Sequence, residues 1–331
     1  MRFIIYGAGG VGGVIGAQLF KAGQDVVLIA RGDHLRAMQS AGLRYQTPYA
    51  DEYLRIPALS HPSELTLKAS DVVMLTCKSQ HTQSALDDLR AAHGTGLPVV
   101  CCQNSVVNEH MALRRFTRVY AMLVYLPAQL TEPGTIQCHA KLKSGVLDLG
   151  LFPNGVDELA RALAERLEAV NFSARPDPQV MRFKYAKLLV NLNNALEAVS
   201  PGGSAAQGIR DRIRAEGEAC LDAAGIDYAS RKQVEERRAG VFEFGDIAGV
   251  ARIGGSSKQS LLRGTGDIEA DYLNGEVVRL GRLHGVATPA NAVVQRLAVA
   301  AAAKRQAPGA VPVAHIEKLI EEAARAEFSG A

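Results

Sequence analysis

The sequence predicts a doubly wound, mostly parallel α/β sheet followed by an all-helical C-terminal domain. Three observations predict it. Short, continuously apolar runs alternate with helix-like segments through the first half, as expected of βαβ units whose strands are covered on both faces. Beyond the stiff polar stretch Arg175-Pro176-Asp177-Pro178, nearly every segment has helical periodicity. The length of 331 residues accommodates about two domains of roughly 150 residues each. The expected division is 1–176 and 177–331.

The elements follow in chain order. Expected strands cover residues 2–6, 25–30, 71–77, 98–103 and 118–124, and crossover helices cover 11–22, 79–92 and 106–116. A hairpin-like region at 134–150 and an amphipathic helix at 156–170 complete the first domain. Helices are expected at 179–199, 206–224, 230–244, 267–284, 289–305 and 313–326, with a polar Gly/Ser-rich loop at 254–266.

Composition excludes several function classes. Hydrophobic residues make up 47% and charged residues 21%, and the formal charge is only +3. There is no basic stripe studded with aromatics, so nucleic acid is not an expected partner. The chain opens directly on Phe3-Ile4-Ile5-Tyr6 without a charged region before a long apolar one, and no apolar run is long enough for a bilayer, so neither a signal peptide nor a membrane partner is expected. The five cysteines (Cys77, Cys101, Cys102, Cys138 and Cys220) lack metal-ligand spacing, so no metal is expected and a reducing cytoplasm is the simplest location. The apolar segment 289–303 suits a homodimer interface or an internal core equally well.

Gly7-Ala8-Gly9-Gly10-Val11-Gly12 follows the first strand and opens the first helix. In a Rossmann βαβ unit this GxGxxG pattern uses Gly7 for a tight turn, Gly9 for close approach of a pyrophosphate and Gly12 for helix–strand packing. The helix N-terminus adds N–H groups and a positive dipole end. At the end of the second strand, where an acidic residue would hold a ribose 2′-OH, the chain has Arg31. Its planar cationic fork suits a 2′-phosphate, so the expected cofactor is NADP(H). The alternative is a solvent-exposed arginine at a strand end.

Lys187 and Asn191 are four residues apart and share a helix face, to which Asn194 returns. A cation and two amides amid apolar neighbours can serve a carbonyl under hydride attack, with a proton donor for the developing alkoxide and hydrogen-bond donors for the substrate. A surface lysine beside amides is the other reading.

Gly7-x-Gly9-x-x-Gly12, Lys78 after the third apolar run, Asn104 after the next, Lys187-x-x-x-Asn191 and Glu269-Ala270-Asp271-Tyr272-Leu273-Asn274-Gly275 together resemble the ketopantoate reductase (2-dehydropantoate 2-reductase) family, in order and spacing, over nearly the whole chain. The resemblance implies NADPH-dependent reduction of a 2-keto acid, 2-dehydropantoate, to pantoate in pantothenate biosynthesis. It implies Lys187 as general acid, Asn191 as a substrate ligand, and Lys78 and Asn104 near the nicotinamide and its ribose. It also places Glu269 close to the lysine and cofactor, and Ser257 at the substrate carboxylate.

Three departures lie on the substrate side. Ser105-Val106 follows Asn104 where the family commonly has Gly, and Ser257 is followed by Lys258-Gln259-Ser260 rather than a Met-Leu-Gln-Asp-like run. The family's second helix asparagine aligns with Ala195, leaving Asn194 one residue early. A reductase of the same fold acting on a different keto acid therefore stays open, including a β-hydroxyacid dehydrogenase, as does a non-catalytic NADP(H)-binding sensor.

Overall fold

Phe3, Ile4 and Ile5 are fully buried, so β1 (Arg2–Tyr6) needs cover on both faces. It runs through the middle of a seven-stranded sheet in the computed structural model, which describes residues 1–329. The last two residues of the expected second domain lie outside the described residues. From edge to edge the strands are β12 (Leu149–Leu151), β8 (Val119–Met122), β7 (Val99–Cys101), β6 (Asp71–Leu75), β1, β2 (Asp25–Ile29) and β5 (Ala58–Leu59). Neighbours from β5 to β8 pair in parallel, and β12 closes one edge antiparallel to β8. Strand order reverses at β1, the arrangement of a Rossmann fold.

Alternation along β1 divides the core in two. Phe3 and Ile5 join Val14, Ile15 and Leu28 on one face, while Ile4 joins Val73, Leu86 and Leu89 on the other. The crossover helices are α1 (Gly10–Lys21), α2 (Gly32–Ala41), α3 (Thr82–His93) and α4 (Asn108–Leu113), with α5 (Glu158–Ala169) after the last strand. Asp157 caps α5 by accepting from the Ala160 N–H at 2.8 Å.

A second sheet of β4 (Asp51–Leu54), β3 (Leu43–Gln46), β10 (Thr135–Cys138) and β9 (Ala128–Glu132) braces α1. A Cβ on Gly13 would come within 2.9 Å of Ile136, so glycine permits the close approach. Gln129 donates to Gln137, Gln137 to Gln46 and Gln46 to Asp51, satisfying buried amides in series across this sheet. The hairpin expected at 134–150 is relocated: its turn is at Pro133-Gly134 between β9 and β10, and residues 149–151 belong to the main sheet.

The compact units are Met1–Lys184 with Ser230–Arg252, and Tyr185–Ala229 with Ile253–Ala331. The expected division stood between 176 and 177. The helix expected at 230–244 is corrected to α9 (Arg231–Arg238) followed by β13 (Phe242–Phe244), which pairs with β11 (Ala140–Leu142). Gly240, at φ +67°, ends the helical path, and the Phe-Glu-Phe run suits a strand. Arg237 of α9 forks onto Asp148, both contacts at 2.5 Å, with both side chains nearly buried. That geometry holds the returning segment to the first unit.

The regular elements among the second unit's described residues are all helical: the end of α6 (Val180–Asn191), then α7 (Asn193–Val199), α8 (Gln207–Ala223), α10 (Ser256–Arg263), α11 (Asn274–His284), α12 (Pro289–Ala303) and α13 (Val313–Ser329), with short 3-10 turns between some of them. Gly217 brings α8 close to α6, where a Cβ would lie 2.8 Å from Leu189 and Leu192. The helix expected at 179–199 is interrupted at Leu192, whose carbonyl accepts from Asn274 Nδ2 at 2.9 Å. Among the described residues no helix is long and apolar enough to cross a membrane.

Candidate active site

Four adjacent parallel strands end in the four first-unit segments singled out by sequence. Gly7–Gly12 follow β1, Arg31 lies two residues beyond β2, and Lys78 and Asn104 each lie three beyond β6 and β7. Loops at the carboxyl ends of strands flanking a reversal of strand order are where open α/β sheets bind ligands. Arg31 is exposed, while Lys78 and Asn104 are half-buried.

The glycine positions test whether a dinucleotide fits. Gly7 has φ +105°, and a Cβ there would lie 2.5 Å from the Cys77 nitrogen. A Cβ on Gly12 would strike the Gly7 carbonyl and the Thr76 hydroxyl, and would lie 2.9 Å from Ile5. Protein packing alone therefore demands glycine at both positions. At Gly9 a Cβ would meet nothing within 4 Å, so its smallness leaves space beside the start of α1 rather than relieving a clash. Open space against the unsatisfied N–H groups of a helix N-terminus suits a pyrophosphate.

The Asn104 loop has a buried anchor. Lys184 Nζ donates to the Gln103 carbonyl at 2.9 Å and lies 2.5 Å from Glu109 Oε1, with both side chains essentially inaccessible. Ser105 is fully buried, and its Oγ accepts from the Val107 N–H at 3.4 Å. The adjacent Cys101 and Cys102 are also buried, which pushes both thiols far above their ordinary range and leaves neither as a ready nucleophile.

In the second unit, Lys187 is half-buried on α6 and Asn191 is buried one turn later. Asn191 Nδ2 has no hydrogen-bond partner among the described residues. A buried N–H donor left in this state costs about 1–3 kcal/mol and calls for an acceptor. Ser257 is not in the flexible loop expected at 254–266. It occupies the first turn of α10, 2% exposed, and Gly264, at φ +59°, closes that helix. Asn194 lies against the same helix start: a Cβ on Gly255 would come within 3.0 Å of its Oδ1. The structure therefore brings Asn194 to the Ser257 helix, while Ala195, in the register of the family's second asparagine, is buried.

Glu269 is 6% exposed in a short 3-10 turn, Glu269–Tyr272, that precedes α11. The continuous helix expected from 267 is thus a turn followed by a helix. Asn274 ties this segment to α6: its Nδ2 donates to the Leu192 carbonyl and, at 3.0 Å, to Asn291 Oδ1. Asn291 Nδ2 donates to Glu216 at 2.7 Å and to the Ile213 carbonyl at 3.0 Å. Glu216 also accepts the Ala290 and Asn291 N–H groups at the start of α12. Burial raises the Glu216 carboxyl, opposed by these hydrogen bonds. Sequence reasoning missed Asn291 and Glu216. Asn291, two residues after Pro289 at a helix start, offered the only local signal.

A Rossmann unit with an open glycine cradle, continued into a helical unit bearing Lys187 and Asn191 on one face, defines a nucleotide-dependent reductase class. Comparison with known proteins resolves the class. Residues 3–154 match the family model described as ketopantoate reductase PanE/ApbA, and residues 179–302 match its C-terminal model. The chain belongs to the ketopantoate reductase family. A 2-dehydropantoate 2-reductase from Mesorhizobium japonicum is 29% identical over 334 aligned residues, covering 90% of this chain and 98% of that one. A PanE/ApbA family ketopantoate reductase from Ralstonia eutropha JMP134 superposes with TM-score 0.75 at 27% identity, covering 92% of this chain and 99% of its own. A D-mandelate dehydrogenase solved with NADH and anilino(oxo)acetate shares the fold, with TM-score 0.76 at 21% identity over 92% of this chain and 99% of that one.

Proposed function

We propose that this protein reduces 2-dehydropantoate, a 2-keto acid, to the 2-hydroxy acid pantoate with NADPH. The bound nicotinamide supplies the hydride that the keto carbon accepts. Lys187 Nζ gives a proton to the keto oxygen as negative charge develops there, a role that needs no large depression of its pKa. Asn191 Nδ2 donates to the substrate and so satisfies a buried amide. Ser257 and Asn194, on adjoining helix starts, receive the carboxylate side. Glu269 orients Lys187, and Lys78 and Asn104 hold the nicotinamide ribose end. Gly7, Ala8 and Gly9 shape the turn that admits the pyrophosphate, their own N–H groups being held by the Ile29 and Gly7 carbonyls. Gly10, Val11 and Gly12 offer it the N–H groups of the first helical turn, and Arg31 takes the 2′-phosphate. A reducing cytoplasm suits the five free cysteines.

The observation that carries this reading is Asn191, buried one turn from Lys187 with an N–H lacking an acceptor. A second reading, the same chemistry on another 2-keto acid, is favoured by Ala195 at an asparagine register and by the shift of the amide to Asn194. NADPH oxidation by purified protein across a panel of 2-keto acids tests both. Preferred turnover of 2-dehydropantoate supports the first, preferred turnover of another acid supports the second, and NADPH binding without turnover of any acid overturns both in favour of a nucleotide-binding sensor.

A further inference from the structure

The carbonyls of Tyr6, Gly7, Ala8 and Gly9 each have a defined donor, and two side chains outside the motif, Thr76 and His34, are among the donors. The Tyr6 carbonyl accepts from the Thr76 and Cys77 N–H groups, and the Gly7 carbonyl accepts from the Gly9 N–H at 2.7 Å and the Thr76 hydroxyl at 2.9 Å. The Gly9 carbonyl accepts from the Gly13 N–H at 2.6 Å. The Ala8 carbonyl lies 2.7 Å from His34 Nε2. On the other side of the ring, the Gly134 N–H donates to His34 Nδ1 at 2.8 Å.

These contacts determine the proton's position. Nδ1 faces a main-chain donor and must be bare, so the neutral ring carries its hydrogen on Nε2 and donates it to Ala8. The peptide between Ala8 and Gly9 is then fixed at both ends, its N–H by Gly7 and its C=O by His34. The hairpin turn is equally committed: Gly134 has φ +81°, its carbonyl accepts from the Arg44 N–H at 2.8 Å, and a Cβ on it would lie 2.7 Å from that of Ala37.

We propose that His34 is a positioning residue for the nucleotide phosphates, a neutral imidazole bridge that turns the Ala8 carbonyl away from the anion site by tying it to the β9–β10 turn. The proposal rests on the nicotinamide-cofactor reading. Without the bridge, rotation of that peptide can aim its carbonyl oxygen, the negative end of its dipole, toward the phosphates beside the first N–H groups of α1. The imidazole itself need not touch the nucleotide.

The two ring nitrogens can be mimicked separately. His34→Gln places an amide N–H near the Nε2 position and keeps a donor for Ala8, whereas His34→Asn places an oxygen near the Nδ1 position and keeps only the acceptor for Gly134. NADPH dissociation constants, measured by fluorescence titration on the full chain, should stay near wild type for His34→Gln. They should rise about five- to tenfold for His34→Asn and His34→Ala, the worth of roughly one net hydrogen bond. At saturating NADPH, kcat and the keto-acid KM should be unchanged in all three. The inference is overturned if His34→Asn binds as tightly as His34→Gln, or if all variants lose affinity equally. Wild-type protein that binds no NADPH would instead overturn the cofactor reading.

Discussion

In the first unit the candidate residues stand in loops after four neighbouring strands, and the phosphates would be met mainly by main-chain N–H groups. In the second unit they stand on helices, and side-chain amides set their positions. The cradle is therefore a matter of backbone approach: glycine at 7 and 12 is demanded by contacts with the ends of the adjacent strands β1 and β6 and the loops that follow them. The lysine face depends instead on separate segments, because Leu192 at the break after α6 and Asn274, Asn291 and Glu216 from three different helices share one chain of hydrogen bonds. A site made of backbone tolerates changes in side chains around it, whereas a site made of side chains depends on each link.

The sharpest way to break this comparison is Lys187→Ala. It should lower kcat by about 100- to 10,000-fold, the usual range for a positioned proton donor, while fluorescence titration finds NADPH affinity unchanged. Parallel loss of both would show that the lysine serves the cofactor. Arg31→Asp acts on the other side and should weaken NADPH by about 10- to 100-fold while leaving NADH nearly unaffected. Equal effects on the two nucleotides would remove the 2′-phosphate role.

Asn291→Ala addresses the helical network. It takes a donor from Glu216 and an acceptor from Asn274, and should cost about 1–3 kcal/mol in chemical denaturation. It should also raise the keto-acid KM more than the NADPH dissociation constant. An unchanged KM would confine the network to stability.

The smallest effect expected is on pH dependence. Burial holds the His34 imidazole below its ordinary 6.5, although its bond to Ala8 opposes the shift. The unfolded chain then binds that proton more readily, so this contribution to stability is present above about 6.5 and is lost as pH falls through and below it. Denaturation midpoints of wild type should fall more steeply than those of His34→Gln across mildly acidic pH; identical slopes would exclude His34 from the effect.

The local parts of this molecule were the legible parts. GxGxxG after an apolar strand and the i, i+4 spacing of Lys187 and Asn191 are patterns readable within one short stretch, although the contacts that demand glycine at 7 and 12 include Cys77 and Thr76 from after β6. The Ser257 segment was misread because its small polar residues hide a two-turn helix set by Gly255 and Gly264. Residues 242–244 were misread because only their partner β11, about a hundred residues away, makes them a strand. His34 and Glu216 were invisible for the same reason, and Asn291 was marked only by its helix-start position: each acquires its role from atoms supplied by another segment.

The return of Ser230–Arg252 to the first unit has a practical consequence for dissecting the protein. A gene fragment stopped at residue 176 would strip Arg237 from Asp148, stranding a carboxylate whose side chain is 4% exposed, and would leave β11 without β13. It would also delete Lys184 from Glu109. Expressing the nucleotide-binding half alone therefore calls for a stitched design, with 230–252 grafted back through a short linker, rather than a simple truncation.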